Sequence, residues 1–247
     1  MYVNNEIGTI QPVEEAAKLV HATVPGVVFH VDAIQAYGKV MIRPKQQGID
    51  LLSVSSHKFH GPKGAGFYTV AARLIFIQSY LEAVSSLACA QELKMYLVQQ
   101  VWDWQRSLPT ELLSRRKHNL KSFAANFLEG VHQLEGITVN GWDETVDGDE
   151  CLERRAPHIV SVSFSGVRSE VLLNALSDRG IYVSSGSACS SNHPALSTTL
   201  QAIGLEKPLL EGTLRFSFCE NTTKEELDEA LAALKELLPM LRRYTRR

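Results

Sequence analysis

The sequence predicts an α/β chain in two parts: a doubly wound sheet first and a small α+β region after it. Two patterns predict this. In the first 70 residues, short apolar runs that end in polar residues alternate with a helical stretch. Beyond residue 111, two runs alternate apolar and polar side chains, His158–Phe164 (HIVSVSF) and Thr213–Phe218 (TLRFSF), and helical patterns flank them. A hydrophobic content of 45% over 247 residues is enough for one large or two small cores. The expected boundary lies at about residue 110, with domains 1–110 and 111–247.

The elements follow in chain order. Met1 to Glu6 reads as a buried strand that runs into polar residues. Gln11-Pro12 then starts a helix to about Ala22, with proline in the first turn and Glu14 and Glu15 near its positive end. Val27–Asp32 (VVFHVD) is a strand. Leu51–Ser55 is the next and Gly66–Val70 the third. Residues 111–134 form an amphipathic helix, with Leu112, Leu113, Leu120, Phe123, Phe127, Leu128 and Val131 on one face. Asp143–Arg155 is charged and contains Asp147-Gly148, which predicts an exposed loop. His158–Phe164 is expected to be a half-buried strand. A helix opens at Ser169-Glu170, runs to about Arg179 and ends at Gly180. Ile181–Val183 is a short strand and Thr213–Phe218 a longer one. Thr222 and Thr223 cap a last helix through Leu241.

Composition excludes several functions. A net charge of −2 with scattered basic residues argues against nucleic acid or an anionic membrane as partner. The basic end at Arg242, Arg243, Arg246 and Arg247 reads as a solvated tail. No apolar run is long enough to span a bilayer, and no signal peptide is expected. The cysteines Cys89, Cys151, Cys189 and Cys219 are far apart and form no CxxC, so neither a zinc site nor a disulfide framework is expected. A reducing, cytoplasmic setting is the default expectation.

The stretch that carries chemistry is Ser53–Gly64 (SVSSHKFHGPKG). A lysine at the mouth of a buried strand is poorly hydrated, which favours its neutral, nucleophilic amine. Ser55 and His57 offer donors to a phosphate, and Gly61 and Gly64 permit close backbone approach. Lys58 is therefore a candidate Schiff-base lysine for pyridoxal phosphate (PLP). Asp32 ends the preceding strand, where ligands collect in open α/β sheets. It is either a helix cap or the partner of a cationic ring nitrogen. Cys189 lies in a run of small polar residues, Ser184–Ser191 (SSGSACSS), a setting for an exposed, reactive thiol. Arg215 interrupts an apolar strand, either as an edge residue facing water or as a bidentate clamp on a carboxylate.

Five motifs together resemble a known family: VNNEIGTIQP (3–12), HVDAIQAYGK (30–39), SSHKFHGPKGAGF (55–67), SSGSACSS (184–191) and TLRFSF (213–218). In this order they resemble the NifS/IscS-like cysteine desulfurases of the class V aminotransferase group, PLP fold type I. The resemblance covers residues 1 to about 70 and about 111 to 247. It implies a partial large PLP-binding domain with a doubly wound mixed sheet, and a small α+β C-terminal domain with the catalytic cysteine loop. It assigns Lys58 as the covalent link to PLP and the proton carrier. Asp32 pairs with the ring nitrogen, Gln35 bonds the ring's phenolic oxygen, and Ser55 and His57 hold the phosphate. Asn4 and Arg215 hold the substrate carboxylate. Cys189 takes the sulfur of L-cysteine as a persulfide and leaves L-alanine. The resemblance implies as partners a sulfur-acceptor or scaffold protein and a second copy of the chain. It implies no resident metal, although Cys189 would touch a nascent iron–sulfur cluster.

The chain departs from that family in two places. A sizeable N-terminal part is missing, including a Gly-Ala-Thr-type phosphate loop and a histidine that stacks on PLP, so a complete sheet is not expected from this chain alone. Residues 73–107 lack the family's glycine-rich motif, whose threonine reaches the partner subunit's PLP phosphate. Taking the last base of each codon with the first two of the next, Leu87 to Val98 permits the reading GLRTGTENVPG. Met95-Tyr96 then must give Val, Trp102-Asp103 Gly and Trp104-Gln105 Ala. A pair of compensating frameshifts near residues 70 and 107 is the expectation, which would leave Cys89, Trp102 and Trp104 without a selected role. Two alternatives stand beside desulfurase activity: an inactive fragment that serves at most as an interaction module, and a selenocysteine lyase-like PLP lyase.

Overall fold

A computed structural model describes residues 1–61, 66–70, 73–75, 110–141, 148–185 and 197–244. Pro62, Lys63, Gly64, most of the 73–107 stretch, Asp143–Asp147 and the SGSAC segment with Cys189 lie outside the described residues. The chain divides into two compact units, Met1–Asn4 with Ile10–Arg115, and Asn5–Thr9 with Arg116–Arg247.

The first unit is a four-stranded sheet in the order β1 (His30–Asp32), β2 (Leu51–Ser55), β3 (Gly66–Val70), β4 (Arg73–Ile75). β1 and β2 are parallel, with Asp32 opposite Ser53. The β2–β3 and β3–β4 pairs are antiparallel. The sheet is thus mixed, as the family resemblance implied. Helix α1 spans Val13–Thr23 and buries Val13 and Ala17. Pro12 stands at its N-cap rather than within the first turn, and the helix stops at Val24, just before Pro25. β1 is shorter than the expected Val27–Asp32. The carbonyl of Phe29 already accepts from the amides of Asp50 and Leu51, while the Phe29 amide donates to the Asp50 carboxylate. The ladder therefore opens only at His30, and Val28 is left 59% exposed. The N-terminal residues form no strand run either. Val3 makes one isolated bridge to Ile10, and the Tyr2 amide donates to the Asp32 carbonyl at 2.7 Å.

The second unit holds an antiparallel sheet in the order β5 (Ile137–Val139), β6 (Ile159–Phe164), β8 (Thr213–Ser217), β7 (Ser184–Ser185). Helices α2 (Thr110–His132), α4 (Ser169–Ser177) and α7 (Lys224–Tyr244) supply the apolar stripes that cover it. Leu120, Phe127, Leu128 and Val131 recur at helical spacing along α2 and enter one core with Val162, Phe164, Leu214, Leu234 and Leu237. Phe127 sits at its centre, its ring 4.7 Å from Phe216 and 5.4 Å from Phe218. Shorter helices α3 (Gly148–Glu153), α5 (Thr198–Ala202) and α6 (Lys207–Glu211) complete the unit. Thr223 caps α7 reciprocally. Its hydroxyl accepts from the Glu226 amide, and the Glu226 carboxylate accepts from the Thr223 amide.

Several expectations change here. β6 is buried along its whole length, not on alternate residues. Its outward serines are sealed in by Asn140, whose amide donates to Ser161 and Ser163 at 3.0 and 2.9 Å, and Ser163 also meets the Thr213 hydroxyl at 2.7 Å. A polar cluster so satisfied can be buried without loss. The end of the expected loop 143–155 is helix α3, with Cys151 buried and Arg155 only 3% exposed. The Arg155 guanidinium donates to the carbonyls of Asn140 and Ile7 at 3.0 and 2.8 Å. Helix α4 ends at Ser177, two residues early, because the Ile181 amide turns back to the Leu176 carbonyl. Ile181–Val183 is not a strand, and Tyr182 is 83% exposed; pairing with β8 begins at Ser184. α7 runs past Leu241 to Tyr244. Within the basic end, Arg242 is structural, since it donates to the carbonyls of Ser165, Glu135 and Gly136.

Candidate active site

In the first unit, the parallel pairing of β1 and β2 brings their carboxyl ends to the same edge of the sheet. Asp32 closes β1 there, and Ser55 closes β2. The chain leaves β2 through a four-residue 3-10 turn, Ser56–Phe59, whose third residue is Lys58. Ser56 is fully buried and Phe59 nearly so, which pins the turn to the core, while Lys58 between them stays half-buried. The register thus sets Asp32, Ser55, His57 and Lys58 along one edge.

Each of these residues has a definite local role. Asp32 Oδ1 accepts from the Ile34 amide at 2.9 Å and so nucleates the turn that carries Gln35. The cap reading of this aspartate accounts for one oxygen of its carboxylate. Ser55 Oγ and His57 Nδ1 lie 2.9 Å apart on the exposed side of the turn. Asn4 is half-buried, two residues beyond the amide that bonds Asp32. Gly66 stands opposite Ser55, and a Cβ there would sit 2.5 Å from the Val54 carbonyl oxygen, so only glycine permits this close pairing. The donor set fits a PLP-like group: a hydroxyl and an imidazole suit a phosphate, and a carboxylate suits a protonated ring nitrogen.

Arg215 belongs to the second unit. β8 lies between β6 and β7, so Arg215 is not an edge residue. Its Nη1 donates to the Asn5 carbonyl at 2.8 Å and its Nη2 meets Ser184 Oγ at 3.4 Å. Its Nε is buried without a hydrogen-bond partner among the described residues. Burial lowers the Arg215 pKa, and the Glu6 carboxylate opposes that shift. Glu6 also accepts from the hydroxyls of Ser197 and Thr199. The segment Asn5–Thr9 is therefore tied to the chain on both sides of residues 186–196, to Ser184 through Arg215 and to Ser197 through Glu6. The free thiols among the described residues are Cys151, buried, and Cys219, half-buried. Those residues also contain no cluster of three metal-ligating side chains and no helix long and apolar enough to cross a membrane.

Sequence reasoning missed Glu6, Lys39 and Arg155. Glu6 and Lys39 both sit inside motifs already singled out (VNNEIGTIQP and HVDAIQAYGK), which was the available signal. Arg155 carried none, because a buried arginine that bonds only main-chain carbonyls looks like any surface arginine in sequence.

The chain belongs to the aminotransferase class-V family, whose model matches residues 1–82 and 90–230. Within that family it resembles the NifS/IscS-like cysteine desulfurases. It is 36% identical to the cysteine desulfurase IscS of Vibrio atlanticus over 98% of this chain and 57% of that protein. It is 32% identical to a cysteine desulfurase of Nostoc sp. over 98% of this chain and 58% of that one. A solved NifS-like protein superposes with a TM-score of 0.70 at 29% identity, covering 98% of this chain and 60% of that one. The chain thus spans a little over half the length of these relatives. The unmatched residues 83–89 fall inside the divergent 73–107 stretch, while the rest of that stretch is covered by the match.

Proposed function

We propose that this chain carries the PLP-binding and sulfur-transferring elements of a cysteine desulfurase. The reaction is L-cysteine plus the Cys189 thiol giving L-alanine plus a Cys189 persulfide. The observation that carries this reading is the parallel β1–β2 pair, which sets Asp32 and the Ser55–Lys58 turn on one sheet edge. When bound, PLP supplies an electron sink for bonds at the α-carbon of an amino acid. Lys58 would hold it covalently and move the proton at the substrate α-carbon. Asp32 would keep the ring nitrogen protonated, Gln35 would bond the phenolic oxygen, and Ser55 and His57 would hold the phosphate. Asn4 and the half-buried Arg215 would orient the substrate carboxylate, for which a partly desolvated guanidinium is suited. The Cys189 thiolate takes the sulfur as the carbon–sulfur bond breaks and the sulfur–sulfur bond forms, and no external oxidant is needed.

In this reading the first unit is the remnant of the large PLP domain and the second is the small domain. The partners are a sulfur acceptor or scaffold protein and a second copy of the chain, in the cytoplasm. The names of the relatives and the motif order support it.

A second reading has its own observation. The second unit owns a continuous hydrophobic core, which suits a non-catalytic interaction module. One experiment separates the two. PLP added to the purified chain should produce the visible absorbance of lysine-bound PLP, absent in Lys58→Ala. Cys189→Ser should keep the colour and lose sulfur transfer. A colourless wild type favours the module, and loss of colour in Cys189→Ser contradicts the division of roles.

A further inference from the structure

The 3-10 turn that carries Lys58 is too short to hold itself, because a single turn fixes many dihedrals for few hydrogen bonds. It also ends on His60, whose φ of 67° makes it the one non-glycine residue with positive φ among those described. That conformation is unfavourable for an L side chain and persists only where the surroundings enforce it. The amides of His60 and Gly61 both turn back to the Ser56 carbonyl. The carbonyl of Lys58 is held from outside the turn.

The holder is the segment after Asp32. Tyr37 packs its ring against Phe59 with centroids 5.1 Å apart and a tilt of 57°. Burial raises the pKa of the Tyr37 hydroxyl, so the ring stays neutral there. Lys39 Nζ donates to the Lys58 main-chain carbonyl at 2.8 Å in a part-buried setting. An ammonium on a carbonyl at the end of a short helix adds charge–dipole attraction to the hydrogen bond. We propose that Lys39 is a positioning residue for Lys58. It fixes the peptide plane, and with it the Cα–Cβ direction from which the long Lys58 side chain reaches the sheet edge. The inference rests on the reading of Lys58 as the PLP-bearing lysine.

The test uses the full chain as Lys39→Met, which keeps the apolar stem and removes the donor, and as Lys39→Arg, which restores a cationic donor. Lys45→Met, at an exposed position, is the control. Two quantities are read. One is the rate at which added PLP becomes fixed on Lys58, located by borohydride reduction and peptide mass spectrometry. The other is hydrogen exchange at the amides of His60 and Gly61 without PLP. Lys39→Met should slow attachment on the order of tenfold, as misplacement of a reacting group does. It should also speed exchange in the turn while β1 and β2 stay protected. Lys39→Arg should recover most of both effects, and Lys45→Met should match wild type. Wild-type attachment and exchange in Lys39→Met overturns the inference. If wild type attaches no PLP at Lys58, the functional reading fails, and the exchange measurement alone then decides whether Lys39 holds the turn. If Lys39→Met loses β1–β2 protection, Lys39→Leu, which also lacks a donor, replaces it with the same expectations.

Discussion

The two sheets differ in how they are supported. The second is closed over by α2, α4 and α7, and its central strand β6 is buried on both faces, polar side chains included. The first buries Val31, Leu52 and Val54 along its core strands but leaves Leu19 and Val28 69% and 59% exposed. Among the described residues the continuous hydrophobic core thus lies in the second unit, while the residues proposed to hold PLP line one end of the first sheet.

The largest test of this contrast is a pair of truncations. Phe127→Ala should cost about 3–5 kcal/mol, as expected for a fully buried aromatic residue. Phe59→Ala should cost less and should leave amide protection in β6 and β8 unchanged. Denaturant titration with residue-resolved hydrogen exchange reads both, and equal losses in the two units would break the comparison. Arg155→Met comes next. It strips the buried carbonyls of Asn140 and Ile7 of their donor, for a loss of about 1–3 kcal/mol. The loss should appear as a lower melting temperature together with faster exchange in Ile7–Thr9. Ser163→Ala should be milder, about 1 kcal/mol, since Asn140 keeps Ser161 and Thr213 keeps its bond to the Leu209 carbonyl. The smallest effect concerns acid. The Asp50 pKa is lowered chiefly by the Phe29 amide and next by its bond to His21. A lowered carboxylate stabilises the fold above its ordinary pKa of 3.8 and loses that contribution as pH falls through the shifted value. Because Asp50 is partly exposed, the effect is screened and small. Asp50→Asn should flatten the acid limb of first-unit stability and leave the second unit unchanged.

Much of the first unit could be read from sequence, because strands end where apolar runs meet polar residues. Leu51–Ser55 and Gly66–Val70 are found as expected. Two of the errors lie where a side chain intervened in the main chain. Asp50 takes the Phe29 amide and shortens β1, and Arg155 turns a charged stretch into a buried anchor. The alternating pattern of β6 described its chemistry correctly and its exposure wrongly, since alternation cannot distinguish a serine facing water from one facing Asn140. At the candidate site, motif order singled out Asp32, Ser55, His57 and Lys58, and the β1–β2 pairing sets them at one end of the sheet. The turn that carries Lys58 and the hold of Lys39 on it were not, because a hydrogen bond from a side chain to a main-chain carbonyl leaves no residue-type signature.

The most direct test of the central claim is to incubate the PLP-loaded chain with L-cysteine, quantify alanine, and map added sulfur by peptide mass spectrometry under non-reducing conditions. The expected result is alanine in step with one extra sulfur on the peptide containing Cys189, both lost in Lys58→Ala and the sulfur lost in Cys189→Ser. No alanine and an unmodified Cys189 peptide from a chain that holds PLP on Lys58 would contradict it.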